Sequence, residues 1–181
     1  MQIPFTGYAE DCTVTGEIDL VGDRLSDFLA STTEFEIGSP AFQAIDDGHA
    51  VRLPTCSIAH GDLCLVLATG PRGSEERRVW TRQHPVRARV GPYTVLGNLH
   101  APPTIDPYRS AERRPIVAVT ASVLEYPQGG ELAHVEADAI LIFTDKIEAL
   151  EPVTGEEIAQ AKRLDLGALT SSPALGLAPI D

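Results

Sequence analysis

The 181-residue chain has two lysines, three cysteines, one tryptophan and one methionine, and its apolar runs stay short. No run approaches the roughly 20 apolar residues of a membrane-spanning helix, so no membrane insertion is expected. Three cysteines, an odd number in a chain of this length, argue against a disulfide framework and fit a reducing compartment. Met1-Gln2-Ile3-Pro4 lacks the basic and apolar segments of a secretory signal, and the expected location is the cytoplasm. Neither a phosphate-binding loop nor a dinucleotide fingerprint occurs, and Gly38-Ser39-Pro40 lacks the second glycine of a nucleophile elbow. Asp46, Asp47 and Asp62 lack the spacing of a calcium loop and read as turn formers. No cofactor is expected. Global disorder is excluded by 43% apolar residues and a mean hydropathy of −0.02.

What is present is an uneven charge. The net charge of −12 divides into −9 for residues 1–69, +5 for 70–115 and −8 for 116–181. The basic middle holds nine arginines: 72, 77, 78, 82, 87, 89, 109, 113 and 114. Arginine forks bind carboxylates bidentately, so this block can neutralise the chain's own acids or those of a neighbouring subunit. It can also hold an external anion such as nucleic acid, although the net field of the chain repels one.

The chain also repeats. At an offset of 81 residues, Gln2, Pro4, Thr13, Val14 and Gly16 match Gln83, Pro85, Thr94, Val95 and Gly97 without a gap. The apolar stretch Phe35 to Ile45 then matches Ile116 to Tyr126, followed in each copy by a turn, Asp46-Asp47-Gly48 or Pro127-Gln128-Gly129-Gly130. Each copy ends in a continuous apolar run, Leu63 to Ala68 and Ala139 to Phe143. Within the copies apolar residues recur with period 2: Cys12, Val14, Ile18 and Leu20; Phe35 and Ile37; Val51 and Leu53; Val86, Ala88 and Val90. That period predicts half-buried antiparallel strands, whereas the two continuous runs predict strands covered on both faces. Leu25, Phe28 and Leu29 predict a helix in the first copy; Pro103 and Pro107 in the second predict a single turn or a loop.

The expectation is a mainly β protein of two tandem small antiparallel units, either SH3/Sm-like barrels or halves of one β-sandwich. The first repeat spans residues 1–69, a linker 70–78, the second repeat 79–151, and a C-terminal helix with an extended tail 152–181. Gly16-Glu17-Ile18-Asp19-Leu20 followed by Arg24-Leu25-Ser26-Asp27-Phe28-Leu29 resembles an uncharacterised bacterial domain family. The resemblance covers the first repeat and only the outline of the second; it implies a fold and no chemistry.

The C-terminal segment opens on a capping box, Thr154-Gly155-Glu156-Glu157, with Ile158, Ala161 and Leu164 on one helical face. Beyond it the tail reads as a docking peptide anchored by Leu166, Leu169, Leu175 and Leu177. With Arg77, Arg78, Arg82, Arg87 and Arg89 these leucines make the expected partner-binding set. Cys56-x3-His60-x3-Cys64, with Cys12 as a fourth ligand, is the alternative as a metal site, although core thiols and a turn histidine explain the same residues. Trp80, Tyr93 and Tyr108 beside the arginines offer stacking faces to a nucleic acid. The reading is a non-catalytic assembly, adaptor or regulatory subunit in a homo-oligomer or larger protein complex. Its alternatives are a nucleic-acid-binding regulator and, third, a small-molecule or metal-dependent enzyme.

Overall fold

The computed structural model describes residues 1–22, 24–71 and 80–169. The first half contains β1 (Gln2–Ala9), β2 (Cys12–Asp19), α1 (Leu25–Ser31), β3 (Glu34–Ala44), β4 (Ala50–Arg52), β5 (Thr55–Ala59), a 3-10 turn (His60–Asp62) and β6 (Leu63–Leu67). The second contains β7 (Arg82–Val90), β8 (Tyr93–Ala101), α2 (Pro107–Glu112), β9 (Ile116–Gln128), β10 (Glu131–Phe143), a 3-10 turn (Thr144–Lys146), β11 (Ala149–Pro152) and α3 (Gly155–Leu169). In each half a meander is followed by a last strand that returns beside the first, giving the orders β6-β1-β2-β3-β5 and β11-β7-β8-β9-β10. The expected fold class, mainly β with two small antiparallel units and a C-terminal helix, is the one adopted. The halves are joined in one continuous sheet that does not close.

The joint is a seam between β6 and β10, with Leu67 opposite Ile140, Val66 opposite Leu141 and Leu65 opposite Ile142. Both strands are covered on both faces, as their continuous apolar runs predict. Leu63 and Val66 face one core, Cys64 and Leu65 the other; Leu141 and Phe143 join the first core, Ile140 and Ile142 the second. The two runs are therefore not equivalent ends of two repeats. They pair with each other, and the counterpart of the last stretch of β10 is β5. Tyr8 of the first half also meets Tyr93 and Tyr126 of the second at ring-centroid distances of 5.5 Å, and the Tyr93 hydroxyl donates to the Ala9 carbonyl.

Local chemistry explains where the sequence reading and the structure part. Val51, in β4, and Leu53, just beyond it, keep strand parity yet are 45% and 42% exposed; all three residues of β4, the last strand on its side of the sheet, are exposed. The loop or single turn expected around Pro107 is a six-residue helix. Pro107 occupies its first turn, where no amide hydrogen is needed, and the Asp106 side chain accepts from the Tyr108 amide at 2.9 Å. The capping box of α3 forms as expected: Thr154 Oγ1 accepts from the Glu157 amide at 3.2 Å and Glu157 Oε2 from the Thr154 amide at 2.8 Å. Ile158 and Ala161 then cover Leu96 and Val123. The helix runs on to Leu169, so residues 165–169, expected to be extended, are helical. Residues 72–79, the core of the expected linker together with Arg77 and Arg78, lie outside the described residues, as do Leu175 and Leu177.

Candidate functional site

Between the halves, where α1 and α2 end and both 3-10 turns begin, lies a cleft of about 600 Å³. Leu29 and Ala30 at the end of α1 and His60 line it from the first half; Glu112 to Ile116, Phe143, Thr144 and Asp145 line it from the second. The two contributions are counterparts. The His60 amide donates to the Thr33 carbonyl at 2.9 Å, and the Thr144 amide donates to the Pro115 carbonyl at 3.0 Å, so each residue opens its turn against the segment leaving its helix. The His60 ring lies nearly flat on Phe143, with centroids 5.6 Å apart and an interplanar angle of 11°. His60 Nδ1 and Thr144 Oγ1 are both buried without a hydrogen-bond partner. Unsatisfied buried polar atoms are uncommon and costly, and two at equivalent positions on one cleft need a reason.

Arg113 and Arg114 stand at the rim and also line an adjoining recess with Thr104, Asp106, Arg109 and Ser110. The expected internal neutralisation of the arginine block is met once among the described residues, by Arg87, which donates to Glu157 Oε1 at 3.0 Å. Glu157 is held below the usual carboxylate range first by the Thr154 amide and then by the Thr154 hydroxyl and Arg87. Arg82, Arg89, Arg109, Arg113 and Arg114 have no ion-pair partner among the described residues.

The other expected sites come out differently. Cys56 packs against the first core and Cys64 inside the second, while His60 is stacked on Phe143, so the three do not converge. Among the described residues no three His, Cys, Asp or Glu side chains are placed to hold a metal ion. Burial pushes the Cys12 thiol up to about 11, helped by Asp11, and raises that of Cys64, which keeps both protonated. Tyr93, expected to offer a stacking face, is 1% exposed and belongs to the second core; Trp80, at 71% exposed, remains available. Arg82, Arg87 and Arg89 share β7. Leu166 and Leu169 fall in the last turns of α3.

His84, His100 and His134 stand far from one another in the sequence. His100 is bonded on both ring nitrogens, Nδ1 to Thr81 Oγ1 at 3.1 Å and Nε2 to Thr120 Oγ1 at 2.6 Å. His134 Nδ1 lies 3.4 Å from Glu125 Oε1, at ion-pair distance but without hydrogen-bond geometry. Burial, reinforced by neighbouring His84, holds the His100 imidazole below its ordinary value of 6.5. A base with a depressed folded-state value stabilises the fold above its unfolded value, and the stabilisation is lost as pH falls. Urea midpoints of the protein should therefore drop between about pH 7.5 and pH 5.5 by more than those of His100→Gln. Equal drops would show that His100 does not carry this dependence.

Arg113, Arg114 and Thr144 were missed as site residues. The arginines were visible as charge, but the pairing of His60 with Thr144 was hidden because the repeat offset drifts. It is 81 at Gly16 and Gly97, and 84 by His60 and Thr144. Compared with known proteins, the chain matches no family model, no curated protein and no solved structure.

Proposed function

We propose that the protein is a non-catalytic assembly subunit that binds further copies of itself head to tail through the two ends of its sheet. What supports this reading is one relation between strands. The chain already contains the contact once, as the seam in which the return strand of the first half, β6, adds to the outer edge of the second half's β10. The counterpart of β6 is β11, paired only with β7 among the described strands, and the counterpart of that stretch of β10 is β5, paired only with β3. Each copy thus carries one free strand of each kind. Carried over residue by residue, the seam register places Cys56 opposite a second copy's Glu151, Ser57 opposite its Leu150 and Ile58 opposite its Ala149.

Such a contact is heterologous, so it generates a ring or a filament rather than a two-fold dimer. It is weaker than the seam. Its ladder bonds contribute about 0.5–1.5 kcal/mol each, and the side chains are less apolar than the leucines and isoleucines of β6 and β10. Assembly should accordingly depend on concentration.

The register supplies its own test. Ala68 donates to the Ala139 carbonyl, which makes Leu67–Ile140 a non-hydrogen-bonded pair, with Cα atoms about 4.5 Å apart, a spacing that accepts a disulfide. Glu151→Cys should therefore cross-link to native Cys56 of another copy under mild oxidation, giving a ladder of covalent multimers on a non-reducing gel. Adding Cys56→Ser should abolish the ladder. Monomers alone after oxidation, or a ladder that survives Cys56→Ser, would sink the reading.

A further inference from the structure

We infer that the cleft between the halves binds a small organic anion, its apolar body laid over Phe143 and Ile116 and its charged group held by Arg113 and Arg114. This inference rests on the cleft alone and is independent of how copies assemble.

Four observations carry it. The cleft's volume of about 600 Å³ falls within the range of small-molecule sites. Its lining is mixed in the manner of such sites, with Leu29, Ile116, Phe143 and the stacked His60 ring providing apolar surface beside a few polar groups. Two of the lining residues, His60 and Thr144, carry the orphaned buried atoms Nδ1 and Oγ1, for which the described protein supplies no partner. Finally, Arg109, Arg113 and Arg114 share the adjoining recess without an ion pair among the described residues, in a chain whose carboxylates outnumber its basic groups by twelve. Three guanidiniums lining one recess repel one another; Asp106, the carboxylate in that recess, already accepts from the Tyr108 amide, and the nearby end of α2 relieves only part of the cost, since a helix C-terminus attracts cations weakly at the surface. A phosphate or carboxylate bridging Arg113 and Arg114 would relieve the rest through charge-assisted, bidentate hydrogen bonds. Glu112 and Asp145, also in the lining, disfavour a highly charged ligand and favour one anionic group on an apolar body.

The probe is anilinonaphthalene sulfonate, an aromatic body with one anionic group, titrated into the full-length protein and followed by fluorescence. Saturable binding at one site per chain is expected. Arg113→Gln with Arg114→Gln should weaken it at least tenfold, because both side chains are exposed and their loss leaves the fold unchanged. Arg82→Gln with Arg89→Gln, which removes the same charge from β7, should leave it unchanged. Thr144→Val should weaken binding about threefold while leaving the urea midpoint equal or higher, since it deletes an unsatisfied buried hydroxyl. Displacement by phenyl phosphate in preference to benzoate would assign a phosphate group, and the reverse a carboxylate. Non-saturable binding, an equal loss in the Arg82/Arg89 pair, or displacement by neither competitor would overturn the proposal.

Discussion

Gly97→Ala should destabilise the fold by about 3 kcal/mol, at the upper end of what overpacking a close-packed site costs, and Gly16→Ala should do the same in the other half. A methyl group at Gly97 would stand 2.6 Å from Val119 Cγ1 and 2.8 Å from the Thr120 carbonyl oxygen; at Gly16 it would stand 2.5 Å from Ile37 Cγ2 and 2.9 Å from the Gly38 carbonyl oxygen. A side chain can rotate away, but a carbonyl in a paired strand cannot do so without breaking the ladder. At both glycines the register with the next strand of the meander slips, in β2–β3 between Thr15 and Glu17 and in β8–β9 between Leu96 and Asn98. Opposite them Ser39 and Ala121 adopt positive φ of 49° and 48°. Each site is thus a bulge through which two strands approach more closely than a Cβ allows. The entropic benefit of replacing glycine, about 0.4–1 kcal/mol, does not offset the clash. Gly61→Ala is the control, because a methyl group there meets nothing within 4 Å. Urea midpoints for the three variants decide the matter; a Gly97→Ala protein as stable as Gly61→Ala would refute the close-approach account.

These glycines also show how much of the fold the sequence carried. Identity at Gly16 and Gly97 survives in both repeats because the constraint is local: one backbone atom of the neighbouring strand forbids a side chain. The alternation of Val86, Ala88 and Val90 was legible for a similar reason, since strand geometry converts period 2 directly into one buried face. The seam was only half legible. The runs Leu63 to Leu67 and Ala139 to Phe143 announced strands covered on both faces, but not that each covers the other, because pairing partners depend on contacts distant in the chain. The candidate cleft was the least legible part. His60 and Thr144 differ in type, and neither belongs to a chemical motif. What relates them is their position at the start of two 3-10 turns, which becomes visible only once the hydrogen bonds that their amides donate to the Thr33 and Pro115 carbonyls are known. Arg109, Arg113 and Arg114, in and just after α2, could be counted in the sequence, yet whether carboxylates met them required the folded chain.

Leu65→Ala should cost about 3–4 kcal/mol, a large part of the 5–15 kcal/mol that holds a typical domain folded, and should weaken both halves together. Leu65 is fully buried in β6, paired on one side with Tyr8 of β1 and on the other with Ile142 of β10. Although it belongs to the first half by chain position, its side chain lies in the second core, with Val86, Val95, Leu124 and Ile140. The cavity left by truncation therefore opens in one half while the strand that loses support belongs to the other. Neighbouring ladder strands restrict relaxation into that cavity, which puts the cost toward the upper part of the usual range. Two independent units would respond differently: slowly exchanging amides in β9 would lose protection and those in β3 would keep it. With the shared seam, amide exchange in β3 and β9 should accelerate by the same factor, and urea unfolding should stay a single transition displaced to lower denaturant. Loss confined to β9 would mean that the seam joins two separately stable units. Equal loss in both strands would make β6 and β10 the element on which the whole sheet depends.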